Sequence, residues 1–88
     1  MDTVKKSAAK RLADAGYENV IVFEDRSYDD ALIGVSACGR AIYDYDRMIE
    51  GLKKHDRLSE AAAFEWVEYN TIQASEYVEN APIIMHAI

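Results

Sequence analysis

One cysteine, one proline and four glycines are all that this 88-residue chain holds of the residues that build disulfide frameworks, metal knuckles and phosphate loops. Cys38 alone closes no internal disulfide and no cysteine-based zinc site, and a lone thiol suits a reducing compartment. There is no glycine-rich phosphate loop and no G-x-S-x-G elbow. His55 and His86 stand far apart, outside any H-x-x-x-H or H-E-x-x-H spacing, so a zinc centre has no sequence basis. No apolar run approaches the roughly 20 residues of a membrane span. The start, Met1-Asp2-Thr3-Val4-Lys5-Lys6, has bases with no apolar region behind them, unlike a signal peptide. The expected location is therefore cytoplasmic, without a membrane partner. Basic residues are also scarce, ten Lys and Arg against sixteen Asp and Glu, for a net charge of −6. Such a balance disfavours contact with nucleic acid, which needs clustered Lys and Arg, and favours a basic protein partner.

The charge is uneven. Residues 1–16 carry +2 and the remainder −8. A basic first helix over 4–15 follows from Val4, Ala8, Leu12 and Ala15 on one stripe, capped by Asp2 or Thr3 and stopped by Gly16. This helix is expected to dock on the chain's own acidic surface.

The remaining elements read as covers for one β-hairpin. Ala31-Leu32-Ile33-Gly34-Val35 runs into a small-residue turn at Cys38-Gly39, and Ala41-Ile42-Tyr43-Asp44-Tyr45 returns. Gly34, set among bulky neighbours, suggests a close approach by another backbone or a large ring. Ahead of the hairpin, Val20-Ile21-Val22-Phe23 has the β-branched look of a buried strand. Behind it, Tyr45, Met48, Ile49 and Leu52 form an apolar face over a helix at 47–56, for which Asp46 is placed as cap. Ser59 caps a further helix, about 60–71, whose stripe is Ala62, Ala63, Trp66, Val67 and Tyr69, with Trp66 expected to pack on the sheet. Residues 72–80 read equally as helix or loop. Ala81-Pro82 then leads into an extended Ile83-Ile84-Met85-His86-Ala87-Ile88. The expected fold is a single α+β domain over 1–88. Its sheet would be small and mainly antiparallel, with about four strands (20–24, 31–37, 40–45 and 83–87) packed against three helices.

Four blocks, Tyr28–Val35, Gly39–Asp46, Glu65–Ile72 and Ala81–Met85, resemble a group of small proteins carried by phages and mobile elements of Gram-positive gut bacteria. The likeness spans about residues 28–88 and leaves the basic helix outside it. The group brings no catalytic residues to carry over. What the resemblance implies is a role in the contest between phage and host, of which anti-CRISPR inhibition by small acidic proteins is one form.

The acids Glu24, Asp25, Asp29, Asp30, Asp44 and Asp46 flank the hairpin strands. Spaced carboxylates imitate a phosphate ladder, so Asp25, Asp29, Asp30, Asp44 and Asp46 are the candidate contacts to a basic host protein, a CRISPR effector in the sharpest form of this reading. The same acids also serve as turn residues, caps and solubilising surface. Asp44 and Asp46 with Asp29 or Asp30 could chelate Mg²⁺ or Ca²⁺ for a metal-assisted hydrolase, but no EF-hand spacing is present. No cofactor is implied, and no nucleophile stands beside a base in the sequence, so the chain reads as a binding protein and not an enzyme. Tyr28, Tyr43, Tyr45, Trp66, Tyr69 and Tyr77 serve a core or an interface. An open sheet edge offers a route to a homodimer.

Overall fold

In the computed structural model, which describes residues 6–88, the chain is an α+β fold built on a small mixed sheet of three strands. The elements run α1 (Ala8–Asp14), a 3₁₀ helix (Arg26–Ala31), β1 (Leu32–Val35), β2 (Ala41–Asp44), α2 (Tyr45–His55), α3 (Glu60–Trp66), a π-helical stretch (Val67–Ile72), α4 (Gln73–Ser75) and β3 (Ile83–Met85). The expected caps Asp2 and Thr3, and Val4 of the first stripe, lie outside the described residues.

The hairpin forms where the sequence places it. Ser36 N–H donates to the Arg40 carbonyl (2.7 Å) and Gly39 N–H to the Ser36 carbonyl (2.9 Å). Gly39 takes the positive φ of 88° that the turn requires. β1 pairs antiparallel with β2 through Leu32–Tyr43, Gly34–Ile42 and Val35–Ala41, and a bulge displaces Ile33, which is exposed. Gly34 has open space where a Cβ would stand, so no close approach exists there.

Two expectations about the sheet need correction. β3 pairs with β2 in parallel, Ile42 with Ile83 through Asp44 with Met85, so the sheet is mixed rather than mainly antiparallel. The crossover that parallel pairing demands is supplied by the helices between residues 45 and 82. The segment 20–24 is not a strand. It runs straight from Val20 to Phe23 without turn or bend, yet pairs with nothing in the sheet. Its aromatic anchor explains why. The Phe23 ring packs on Tyr43 (centroids 4.7 Å) and Tyr28 (5.7 Å), and its N–H donates to the Tyr43 hydroxyl (3.2 Å). Covering the core takes precedence over extending an edge.

The core joins Leu12, Tyr28, Leu32, Tyr43, Met48, Leu52 and Val67. α2 contributes the face predicted from its spacing, with Tyr45, Met48, Ile49 and Leu52 all buried. Its cap is Asp44, whose carboxylate accepts from Arg47 N–H at 3.1 Å, so the helix starts at Tyr45 and Asp46 sits in its first turn. The sequence Asp-Tyr-Asp offers two capping residues two positions apart, and the backbone uses the first.

α1 is shorter than the stripe suggests, with Lys6 and Ser7 ahead of the helix and Ser7 as the cap, accepting from Lys10 N–H at 3.1 Å. Its described bases, Lys6, Lys10 and Arg11, pair within the helix or with main chain rather than with the acids of the hairpin. Lys6 and Lys10 pair with Asp14 at 2.6 and 3.1 Å. The Arg11 guanidinium instead grips two main-chain carbonyls, Asp29 (2.7 Å) and Leu32 (3.1 Å), at the junction of the 3₁₀ helix and β1. Hydrogen bonds from a charged donor contribute about 1.5–3 kcal/mol each when shielded. Replacing Arg11 by Met should therefore loosen α1 alone. Amide exchange across Ala8–Asp14 should quicken roughly thirtyfold, an effect of about 2 kcal/mol, while α2 keeps its protection. Unchanged exchange in α1 would show that Ala8 and Leu12 hold it unaided.

Candidate functional site

The helix predicted to end near Asn70-Thr71 continues to Ser75. Asn70 and Thr71 are poor helix formers, but Thr71 is buried and its hydroxyl pairs with the Tyr28 hydroxyl at 2.7 Å, tying the helix to the core. The π-helical stretch Val67–Ile72 accompanies that tie. An i→i+5 pattern turns less per residue than an α-helix. Ala63, Val67 and Thr71, each four apart, consequently stay on the buried side.

Only that narrow line is buried, and the other large side chains of the region are left outside. Phe64 is 50% exposed, Trp66 46%, Tyr69 63% and Tyr77 91%. Trp66 therefore does not pack on the sheet as the stripe suggested. Its position was misread because the sequence shows a broad apolar face where the π segment needs only small or β-branched residues inward.

Trp66 instead stands at the wall of a groove of about 370 Å³. One side is the run 21–25, which lies outside the sheet, and the other is the helix at Trp66, Asn70 and Ala74 with Val78 in the turn after it; Pro82 also lines the groove. The opening is mostly apolar, with Glu24 and Asp25 in its wall.

Charge reinforces this surface. From Leu58 to Ile88 the chain contains five Glu and no Lys or Arg. Glu60 is paired with Lys53 (3.2 Å), and Glu68 accepts a hydrogen bond from the Tyr45 hydroxyl (2.9 Å). Glu65, Glu76 and Glu79 are exposed. Tyr45 is pushed up to about 12 by burial first and by Glu68 second. Tyr43 is likewise pushed up to about 12, chiefly by burial.

The five candidate carboxylates on the hairpin have varied surroundings. Asp25 caps the 3₁₀ helix, accepting from Ser27 N–H at 2.9 Å. Asp29 is buried, its carboxylate held by Arg26 Nε at 2.6 Å with the side chain only 8% exposed. Asp44 is half-buried and caps α2. Asp30 and Asp46 are exposed, but Asp30 lies beside Arg47, Lys54 and His55, in a mixed rather than acidic neighbourhood. Asp46 borders a shallow depression shared with Glu50, Glu60 and Phe64. Among the described residues no three His, Cys, Asp or Glu side chains are grouped to hold a metal ion. Cys38 is exposed in the hairpin turn, its sulfur 3.2 Å from the Ser36 hydroxyl. His86 stacks on Tyr45 with centroids 4.4 Å apart. Among the described residues no helix is long and apolar enough to cross a membrane.

No protein-family model, curated protein or solved structure matches the chain. The site therefore stands on its geometry. The sequence reading named Trp66 for a core or an interface, but missed Ile21, Asn70, Ala74 and Val78 as its neighbours in the groove. A signal that could have found this surface is the lack of Lys and Arg after Arg57 beside a row of aromatics.

Proposed function

We propose that the chain is a binding protein that inhibits a basic host protein by occupancy, without chemistry of its own. The observation that carries this reading is the surface of helix 60–75 and the turn after it. There Phe64, Trp66, Tyr69 and Tyr77 are exposed together on a stretch with five Glu and no cation. Aromatic side chains supply contact area at low entropic cost, and a one-signed rim selects partners of the opposite sign. The resemblance to phage and mobile-element proteins makes a CRISPR effector the partner to test, in the cytoplasm of the host bacterium. In this reading the surface that covers the effector is the acidic, aromatic helix. Asp30 and Asp46 are the exposed acids beside the hairpin that assist it.

The test uses a purified CRISPR effector and the tagged full chain, at low and at high salt. The effector should be retained at low salt and released at high salt. Trp66→Ala should weaken retention about thirtyfold or more, as for a buried aromatic hot spot. Reversing charge at Glu65 and Glu76 should weaken it more than reversing Asp30 and Asp46. Recovery of the chain by itself under every wash would overturn the reading in favour of a plain homo-oligomer. Equal loss from both pairs of reversals would return the contact to the hairpin.

A further inference from the structure

The run Val20–Glu24 is unusual for this fold. It borders the groove over consecutive residues, is rich in β-branched side chains, and makes no backbone–backbone hydrogen bond among the described residues. The main-chain bond it makes there is Phe23 N–H to the Tyr43 hydroxyl. In a straight run successive N–H and C=O groups point to opposite sides. With Phe23 facing Tyr43, the N–H and C=O of Val22 face the other way, and the chain bends at Glu24. Val22 is half-buried and Glu24 exposed, so their main-chain groups lie open to an incoming backbone along the lip of an apolar cavity.

We infer that Val20–Glu24 is an open pairing edge, and that the partner enters the groove as an extended segment alternating Lys or Arg with apolar residues. This rests on the occupancy reading above and specifies how the partner binds. The segment's backbone pairs with Val22 and Glu24, as in strand addition to an exposed edge. One apolar side chain drops between Ile21 and Trp66, where the cavity is lined by Ala74, Val78 and Pro82. The flanking bases lie against Glu24 and the Glu-only stretch beyond Arg57. Charge selects this occupant over a second copy of the chain, whose net charge of −6 would be set against the same acids. An amphipathic helix would fill the apolar cavity but leave the amides of Val22 and Glu24 unpaired.

Trp66 is the only tryptophan, so the groove carries its own reporter. The ¹⁵N-labelled full chain is titrated with end-capped hexapeptides that alternate Lys or Arg with Val or Phe. Trp66 emission should shift and saturate, and the amide resonances of Val22 and Glu24 should move with it. N-methylating alternate peptide amides, which blocks pairing and keeps every side chain, should cost roughly tenfold or more in affinity. Replacing Lys and Arg by Glu should abolish binding. Val22→Pro, which removes an amide that has no partner among the described residues, should leave the far-UV spectrum and cooperative melting intact and reduce binding to the same degree. Equal affinity of the N-methylated peptide, or a tighter fit by a helix-stapled version, overturns the pairing while the occupancy reading stands. No Trp66 response to any of these peptides, with the effector still retained, moves the contact out of the groove. Failure of peptide and effector together removes both readings.

Discussion

Gly51→Ala should destabilise the protein by about 2–3 kcal/mol, although alanine is the better helix former by about 1 kcal/mol. Gly51 lies in the middle of α2, and a Cβ there would collide with the Ser27 carbonyl of the 3₁₀ helix. The obstacle is main chain, so no rotamer change relieves it. Relief requires α2 and the 3₁₀ helix to part, which strains the bond from Ser27 Oγ to Asp56 (3.0 Å) and the burial of Tyr28 and Asp29. For a domain of this size the loss amounts to a fall in Tm of roughly 10 °C or more. Gly34→Ala is the control, since nothing stands within 4 Å of its Cβ position, and it should be neutral or slightly stabilising. A Gly51→Ala protein that melts with the parent would mean that the two helices pack less closely than described.

The second large effect is alkaline unfolding. Tyr43 and Tyr45 are buried, and both hydroxyls are pushed up to about 12 from an ordinary value near 10. Tyr28 moves in the same direction, mainly through burial. A group whose folded value is raised holds its proton more tightly in the native state. The native advantage is whole below pH 10 and is lost as pH rises from 10 through 12. A shift of that size would be worth about 3 kcal/mol for a fully shielded hydroxyl, and solvent reaches both of these in part, that of Tyr45 most, so each contributes less. Urea midpoints should be flat from pH 7 to 9 and then fall as pH rises from 10 through 12. Tyr45→Phe, which removes one of the two hydroxyls, should make the fall shallower. A midpoint unchanged to pH 11.5 would contradict the burial of these rings.

How far such features could be read from the sequence depended on what decides each one. The spacing of Tyr45, Met48, Ile49 and Leu52 reports directly on a buried helix face, and α2 is where the pattern puts it. Turn chemistry is equally local, and Gly39 marks the hairpin tip. Val20-Ile21-Val22-Phe23 has the composition of a strand, but whether it finds a ladder depends on where Phe23 is drawn, and Tyr43 draws it onto the core. The direction of β3 is likewise non-local, because Ile83-Ile84-Met85 reads the same in either orientation. Trp66 shows the limit most clearly. Its apolar character argued for burial, but α3 and the π segment give the inward positions to Ala63, Val67 and Thr71 and leave the indole at the groove. The candidate carboxylates failed to separate by type, since a cap such as Asp44, a buried ion-pair member such as Asp29 and an exposed acid such as Asp46 are one residue in the sequence.

The parallel pairing of β2 with β3 also sets the order of assembly. The hairpin and α2 make contacts within a short span of chain and close quickly, whereas the Arg40 guanidinium reaches the Ala81 carbonyl 41 residues away. Contacts at that separation bear the loop-closure entropy before they return any stabilisation, so they form late. β3 and Pro82 are thus the last pieces to arrive, and Pro82 lines the groove. The nucleus of folding and the surface offered to a partner lie at opposite ends of the folding sequence. Substitutions in the groove wall should speed unfolding and leave the rate of folding nearly untouched.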